Sequence, residues 1–198
     1  MRTCVTMLAA AALLLVAVKA GATGTIKGVV TSAGETPAPL ADAVVLIDGP
    51  STSTAAGAPH AVMDQKDQRF VPHVLAVPVG TTLDFPNGDT VFHNVNTAFA
   101  AEPFDLGLYK QGETKSVTVH VPGVRHIRCN VHPGMEGYVV VHANPHVAVT
   151  DAQGRYTITG VPAGSYTVRV WHERLAERTT PVTVGDGQVI ALDFRLER

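Results

Sequence analysis

Along most of this chain the apolar residues come in short, β-branched runs separated by glycine, proline, asparagine and aspartate. Such runs read as strands. They cover Thr25 to Thr31, Ala43 to Asp48, Val74 to Val79, Thr81 to Phe85, Val91 to Val95, Ser116 to Val121, Val124 to Cys129 and Tyr138 to His142. Arg155 to Thr159, Tyr166 to Trp171, Pro181 to Val184 and Val189 to Leu196 complete the series. No long segment repeats its apolar residues at helical spacing, and many short, evenly spaced strands predict an all-β chain of sandwiches or small barrels. Ala100 to Glu113 is the longest stretch that is weak in this pattern, and it reads as a loop.

The first residues follow a different rule. Arg2 supplies a positive start, Val5 to Val18 is an apolar run broken only by Thr6, and small residues offer cleavage after Ala20 or Ala22. A membrane-spanning helix needs roughly 20 apolar residues, and Lys19 interrupts the run too soon. Residues 1–22 therefore read as a signal peptide, with an uncleaved anchor as the alternative, and the mature protein is expected to be periplasmic or secreted. There is no twin-arginine pair, so a metal is expected to be acquired after export. No membrane association is indicated once the signal is gone.

Length and charge narrow the options. The 198 residues leave room for one or two small domains. The formal charge of −2, without blocks of like charge, advertises no nucleic-acid surface. Cys4 precedes the apolar run and leaves with the signal, so Cys129 is the only thiol of the mature chain. In an oxidising compartment a single thiol is buried and inert, available for an intermolecular bond, or held by a metal.

The neighbours of Cys129 favour the metal. In Cys129-Asn130-Val131-His132-Pro133-Gly134-Met135 a thiolate, an imidazole and a thioether fall within seven residues at the end of an expected strand. Soft sulfur ligands suit copper(I), and imidazole suits both copper oxidation states. His93, in Val91-Phe92-His93-Asn94-Val95, is the candidate for a further imidazole. Zinc sites usually take four Cys or His ligands, for which Met is a poor substitute. A c-type haem needs two cysteines before the histidine, and a cysteine nucleophile with His132 as base lacks a third orienting group.

These motifs resemble the cupredoxin family of type 1 (blue) copper proteins, in particular its amicyanin-like and plastocyanin-like members. The resemblance covers residues 58–142: the His-Asn-Val strand, Lys115-Ser116-Val117-Thr118-Val119, Pro122-Gly123, the Cys-x₂-His-x₂-Met loop and the strand Glu136 to His142. It implies a Greek-key sandwich with His93, Cys129, His132 and Met135 around one copper ion, and Asn94 fixing the ligand loops by hydrogen bonds. His132 would be the surface electron port, and His93 would be shielded. Relatives often carry aromatics where this chain has Arg125 and Ile127, which share a face with Cys129 if the strand is regular.

Residues 24–49 and 148–197 resemble the two parts of a carboxypeptidase regulatory-like (transthyretin-like) β-sandwich, most specifically in DAQGRYTITGVPAGSYTVRV. The expected organisation is a cupredoxin domain, 51–145, inserted into a second immunoglobulin- or transthyretin-like sandwich formed by 23–50 and 146–198. One irregular sandwich in three consecutive pieces is the alternative.

The functional expectation is an exported one-electron carrier, not an enzyme, serving a c-type cytochrome or a dehydrogenase. Copper delivery or storage is the competing reading, since it uses the same ligands. His60, His73, His120, His126, His142, His146 and His172 read as surface or structural residues. His60 with Met63 forms a weaker candidate copper site. Arg125, His126 and Arg128 form a positive cluster, either a solvated face or a docking patch for an acidic partner.

Overall fold

A computed structural model describes residues 22–49 and 59–198. The expected signal peptide, apart from Ala22, lies outside the described residues. The described chain is built from strands: β1 (Gly24–Ser32), β2 (Val44–Asp48), β3 (His60–Val62), β4 (Asp64–Lys66), β5 (Arg69–Val71), β6 (Val74–Pro78), β7 (Thr82–Pro86), β8 (His93–Thr97) and β9 (Phe104–Tyr109). Then come β10 (Thr114–Thr118), β11 (Gly123–Arg128), β12 (Glu136–His142), β13 (Val147–Val149), β14 (Arg155–Val161), β15 (Gly164–His172), β16 (Leu175–Val184), β17 (Val189–Ala191) and β18 (Phe194–Leu196). The chain is all-β, with no helix among the described residues.

Four of the five sheets stack in two sandwiches, the fifth being the hairpin β4-β5. The outer sandwich pairs the sheet β14-β1-β17, with β18 also on β1, against the sheet β13-β2-β15-β16. Ile26, Val30, Val45, Ile47, Tyr156, Val168, Val170 and Phe194 fill it. The inner sandwich pairs β10-β7-β3 with β6-β12-β11-β8-β9 around Leu83, Phe85, Val95, Ile127, Val139 and Val141. Two separate cores exclude a single irregular sandwich.

A third cluster joins the two. Val44 and Leu46 of β2 meet Val74 of β6 and Val140 of β12, with Trp171, Tyr138 and Val124 packed alongside. Successive side chains on a strand point to opposite faces, so Val44 and Leu46 face the joint while Val45 and Ile47 face the outer core. On β12, Val139 and Val141 face the inner core and Val140 faces the joint. Covering on both sides explains the uninterrupted apolar runs Val44–Ile47 in β2 and Tyr138–Val141 in β12.

The turn at Asp151–Gly154 shows why the DAQG string is specific. Gly154 N–H donates to the Asp151 carbonyl at 2.9 Å. Its φ is +71°, and a Cβ there would stand 2.4 Å from the Val30 carbonyl oxygen. Only glycine meets both demands.

Two expectations need correction. Ala100–Glu113 is not a loop throughout: Phe104–Tyr109 forms β9, an edge strand on β8, and Tyr109 is buried. Asp105 and Gly107 dilute its apolar pattern, and the register shifts between Asn94 and Asn96, where Gly107 has a φ of +68°. Arg125 does not join a surface cluster with His126 and Arg128. β11 pairs with β12 without a break from Gly123–Val141 to Arg128–Glu136, so Arg125 points inward with Ile127 and is fully buried.

Candidate metal centre

The site forms where two segments distant in sequence meet at one end of the inner sandwich. β8 and β11 are antiparallel neighbours, with Arg128 opposite Asn96. This register sets the start of β8, and hence His93, beside the loop that follows β11. That loop, Cys129 to Met135, is closed on itself. Cys129 N–H donates to the Met135 carbonyl at 3.1 Å, and Met135 N–H to the His132 carbonyl at 3.2 Å. Gly134 permits the reversal with a φ of +78°.

Three donor atoms converge here. The Cys129 sulfur lies 3.8 Å from His93 Nδ1 and 3.6 Å from His132 Nδ1. The ligating atoms of His93, Cys129 and His132 all lie within 4.8 Å of one another. The two imidazoles meet edge to face with centroids 4.6 Å apart. A nitrogen donor at about 2.0 Å and a sulfur donor at about 2.3 Å from one first-row metal ion, about 110–120° apart, stand about 3.5–3.7 Å from each other. The spacing thus fits a shared ion. Among the described residues this is the one group of three or more His, Cys, Asp or Glu side chains so arranged.

Exposure differs among the four expected ligands. His93 is fully buried, Cys129 and Met135 are buried, and His132 is half-buried. Met135 packs in the inner core with Cys129.

Hydrogen bonds tie the ligand segments together. The Asn94 backbone N–H donates to Cys129 Sγ at 3.5 Å. The Asn94 side chain donates to Asp105 Oδ1 at 2.6 Å and accepts from Asn96 Nδ2 at 2.7 Å. Asn96 Nδ2 also reaches the Arg128 carbonyl and Asn130 Oδ1. Sequence reasoning singled out Asn94 but missed Asn96 and Asp105. It also missed Asp89, whose Oδ2 lies 2.8 Å from His93 Nε2. The available signal was the carboxylate four residues before the candidate histidine, in Asn87-Gly88-Asp89. Burial opposes the Asp89 charge, but hydrogen bonds from Gln68 N–H, His93 and Asp67 N–H outweigh it and hold the carboxyl below its usual range.

The second candidate site does not assemble. His60 is exposed, with Nδ1 on Asp84 Oδ2 at 2.7 Å, whereas Met63 is fully buried in the inner core. His142 and His172 are buried, and burial depresses their basicity. His126 Nε2 contacts Glu136 Oε2 at 2.7 Å, and His73 Nε2 contacts Glu173 Oε2 at 3.2 Å.

Comparison with known proteins returns both resemblances read from the sequence. A family described as carboxypeptidase regulatory-like domain matches residues 134–197. That match begins inside the Cys129–Met135 loop and takes in β12, which pairs in the inner sandwich, but not β1 and β2 of the outer one. Among solved structures, the chain is similar to a reduced tryptophan-to-tyrosine mutant of amicyanin at 24% identity, with a TM-score of 0.40. It is similar to an oxidised methionine-to-leucine mutant of amicyanin at 26% identity (TM-score 0.39). A methionine-to-alanine mutant in its Cu(I) form matches at 27% identity (TM-score 0.40). Each match covers 50% of this chain and 98% of the other. No curated protein matches the chain.

Proposed function

We propose that this protein is an exported type 1 copper protein that carries single electrons, with His93, Cys129, His132 and Met135 as ligands of one copper ion. The observation that carries this reading is the approach of His93 Nδ1, from a strand 36 residues upstream, to within 3.8 Å of the Cys129 sulfur. Two imidazoles and a thiolate with a thioether in reserve are the donor set of a blue-copper site, and no set of four nitrogen and thiolate ligands suited to zinc is present among the described residues. When bound, copper supplies one-electron exchange between its two oxidation states.

The chain's own residues hold and shield that centre. His93 opens β8 and Cys129 directly follows β11, both buried, which would limit how far they move when the charge of the centre changes. Met135 would offer a thioether as a further, weak ligand that tunes the potential. His132, half-buried, is the electron port, flanked by the exposed side chain of Val131. The partner is a second exported redox protein, such as a c-type cytochrome or a dehydrogenase, met in a small and transient contact. Residues 1–22 direct export, 51–145 form the copper unit, and 23–50 with 146–198 form the second sandwich.

Addition of copper(II) to the mature, metal-free protein tests this. The expected result is an intense blue thiolate-to-copper charge-transfer band, absent in Cys129→Ser. A colourless one-to-one complex would overturn it. Copper delivery is the competing reading, and the burial of His93 and Cys129 weighs against easy exchange. A fast reversible couple with slow copper loss supports the carrier, and rapid handover to an acceptor supports delivery.

A further inference from the structure

We infer that Asp89 is a positioning residue of the metal centre, holding the His93 ring in one tautomer and one orientation from a seat built by the turn between β4 and β5. This rests on the copper reading for its purpose, though not for its geometry.

Asp89 Oδ2 lies 2.8 Å from His93 Nε2. An ionised carboxylate only accepts hydrogen bonds, so Nε2 carries the proton and Nδ1 keeps its lone pair. Nδ1 is the atom that faces the Cys129 sulfur. The remote nitrogen of a metal-bound histidine usually donates to such a partner, which fixes the tautomer and raises the basicity of the ligating nitrogen.

Asp89 is itself held. Its Oδ1 accepts the Asp67 N–H at 2.7 Å, and its Oδ2 accepts the Gln68 N–H at 2.9 Å. Its own N–H donates to Asn87 Oδ1 at 3.0 Å. The buried Asn87 amide in turn donates to the carbonyls of Val91 and Tyr109. Asp67 and Gln68 are the two residues between β4 and β5, with φ of +53° and +55°. Two left-handed residues make the turn that suits a two-residue hairpin, yet that turn prefers Asn-Gly or Asp-Gly. Gln68 is an unfavourable choice there, and the two amide bonds to Asp89 oppose the strain. The hairpin tip, Asp89 and His93 therefore form one relay that ends at the metal.

Imidazole ¹⁵N spectra of the metal-free protein test the geometry. His93 is expected as the single Nε2–H tautomer, its N–H protected from exchange. Asp89→Ala should mix the tautomers and remove the protection. Asp89→Asn, which keeps an acceptor and a better chance of folding, should retain part of both. In the copper-loaded protein, loss of the carboxylate should weaken copper affinity about 10–100-fold and raise the reduction potential. Parent-like His93 resonances in folded Asp89→Ala or Asp89→Asn, or a parent-like potential and affinity in both, would overturn the inference. If the parent takes up no copper, the metal-free spectra still decide it, so the two failures are distinguishable.

Discussion

The guanidinium of Arg125, fully buried on β11, forms an ion pair with the carboxylate of Glu102 from the segment between β8 and β9. Its NH2 also donates to the Val121 carbonyl at 2.8 Å, and the Phe99 ring covers it with its centroid 4.7 Å from Cζ. Removing one partner of such a pair leaves an uncompensated buried charge. Glu102→Ala should therefore destabilise the inner sandwich by about 3 kcal/mol or more. Chemical denaturation of the mature protein would measure it.

The same pair predicts acid sensitivity. Burial opposes the Glu102 charge, but hydrogen bonds from His120 N–H, Arg125 and Val121 N–H outweigh it and hold its carboxyl below the usual value of 4.5. The folded state thus favours the ionised form. Its stabilisation is fully present above about pH 4.5 and is lost as pH falls through the lowered folded value. Glu102→Gln should lower stability at neutral pH and flatten the acid limb of the stability profile. A parallel profile for the two proteins would contradict this.

The joint between the sandwiches should transmit cooperativity without touching the metal chemistry. Leu46 is buried there, and the rings of Tyr138 and Trp171 lie 5.4 Å apart. Leu46→Ala should cost about 2–4 kcal/mol, and Trp171→Ala should separate unfolding into two calorimetric transitions. The charge-transfer band should be unaffected in both.

Expressed alone, residues 51–145 should fold and bind copper, because the inner sandwich has its own core. They should also associate at higher concentration. Val74 and Val140 lose their cover from β2 in that fragment, and an exposed apolar patch of this kind invites pairing. Sedimentation would show the association, and a polar substitution at Val140 should reverse it. An unfolded fragment would sink the proposed domain boundary.

Met135 is buried in the core beside Cys129, so Met135→Leu is close to volume-conserving. Copper should remain bound and coloured with a shifted potential. Loss of binding would contradict an axial role.

Much of this was legible in the residues alone. The Cys-x₂-His-x₂-Met loop spans seven positions, so local spacing carries its chemistry. The strand runs at Ala43–Asp48 and Tyr138–His142 were equally plain because apolar side chains occupy both faces. Three-residue strands such as β3, β4, β5 and β13 were missed, being too short to show alternation. Arg125 misled because a charge inside a strand reads as surface until Glu102, 23 residues earlier, is seen to meet it.

By itself the sequence determined the donor types, the all-β character and the alternation of faces, because these depend on residue chemistry and on periodicity within a few positions. Only the tertiary structure decided which faces are covered by which layer, and that His93 and Asp89 reach the Cys129 loop, because strand register is set by packing between segments far apart in the chain.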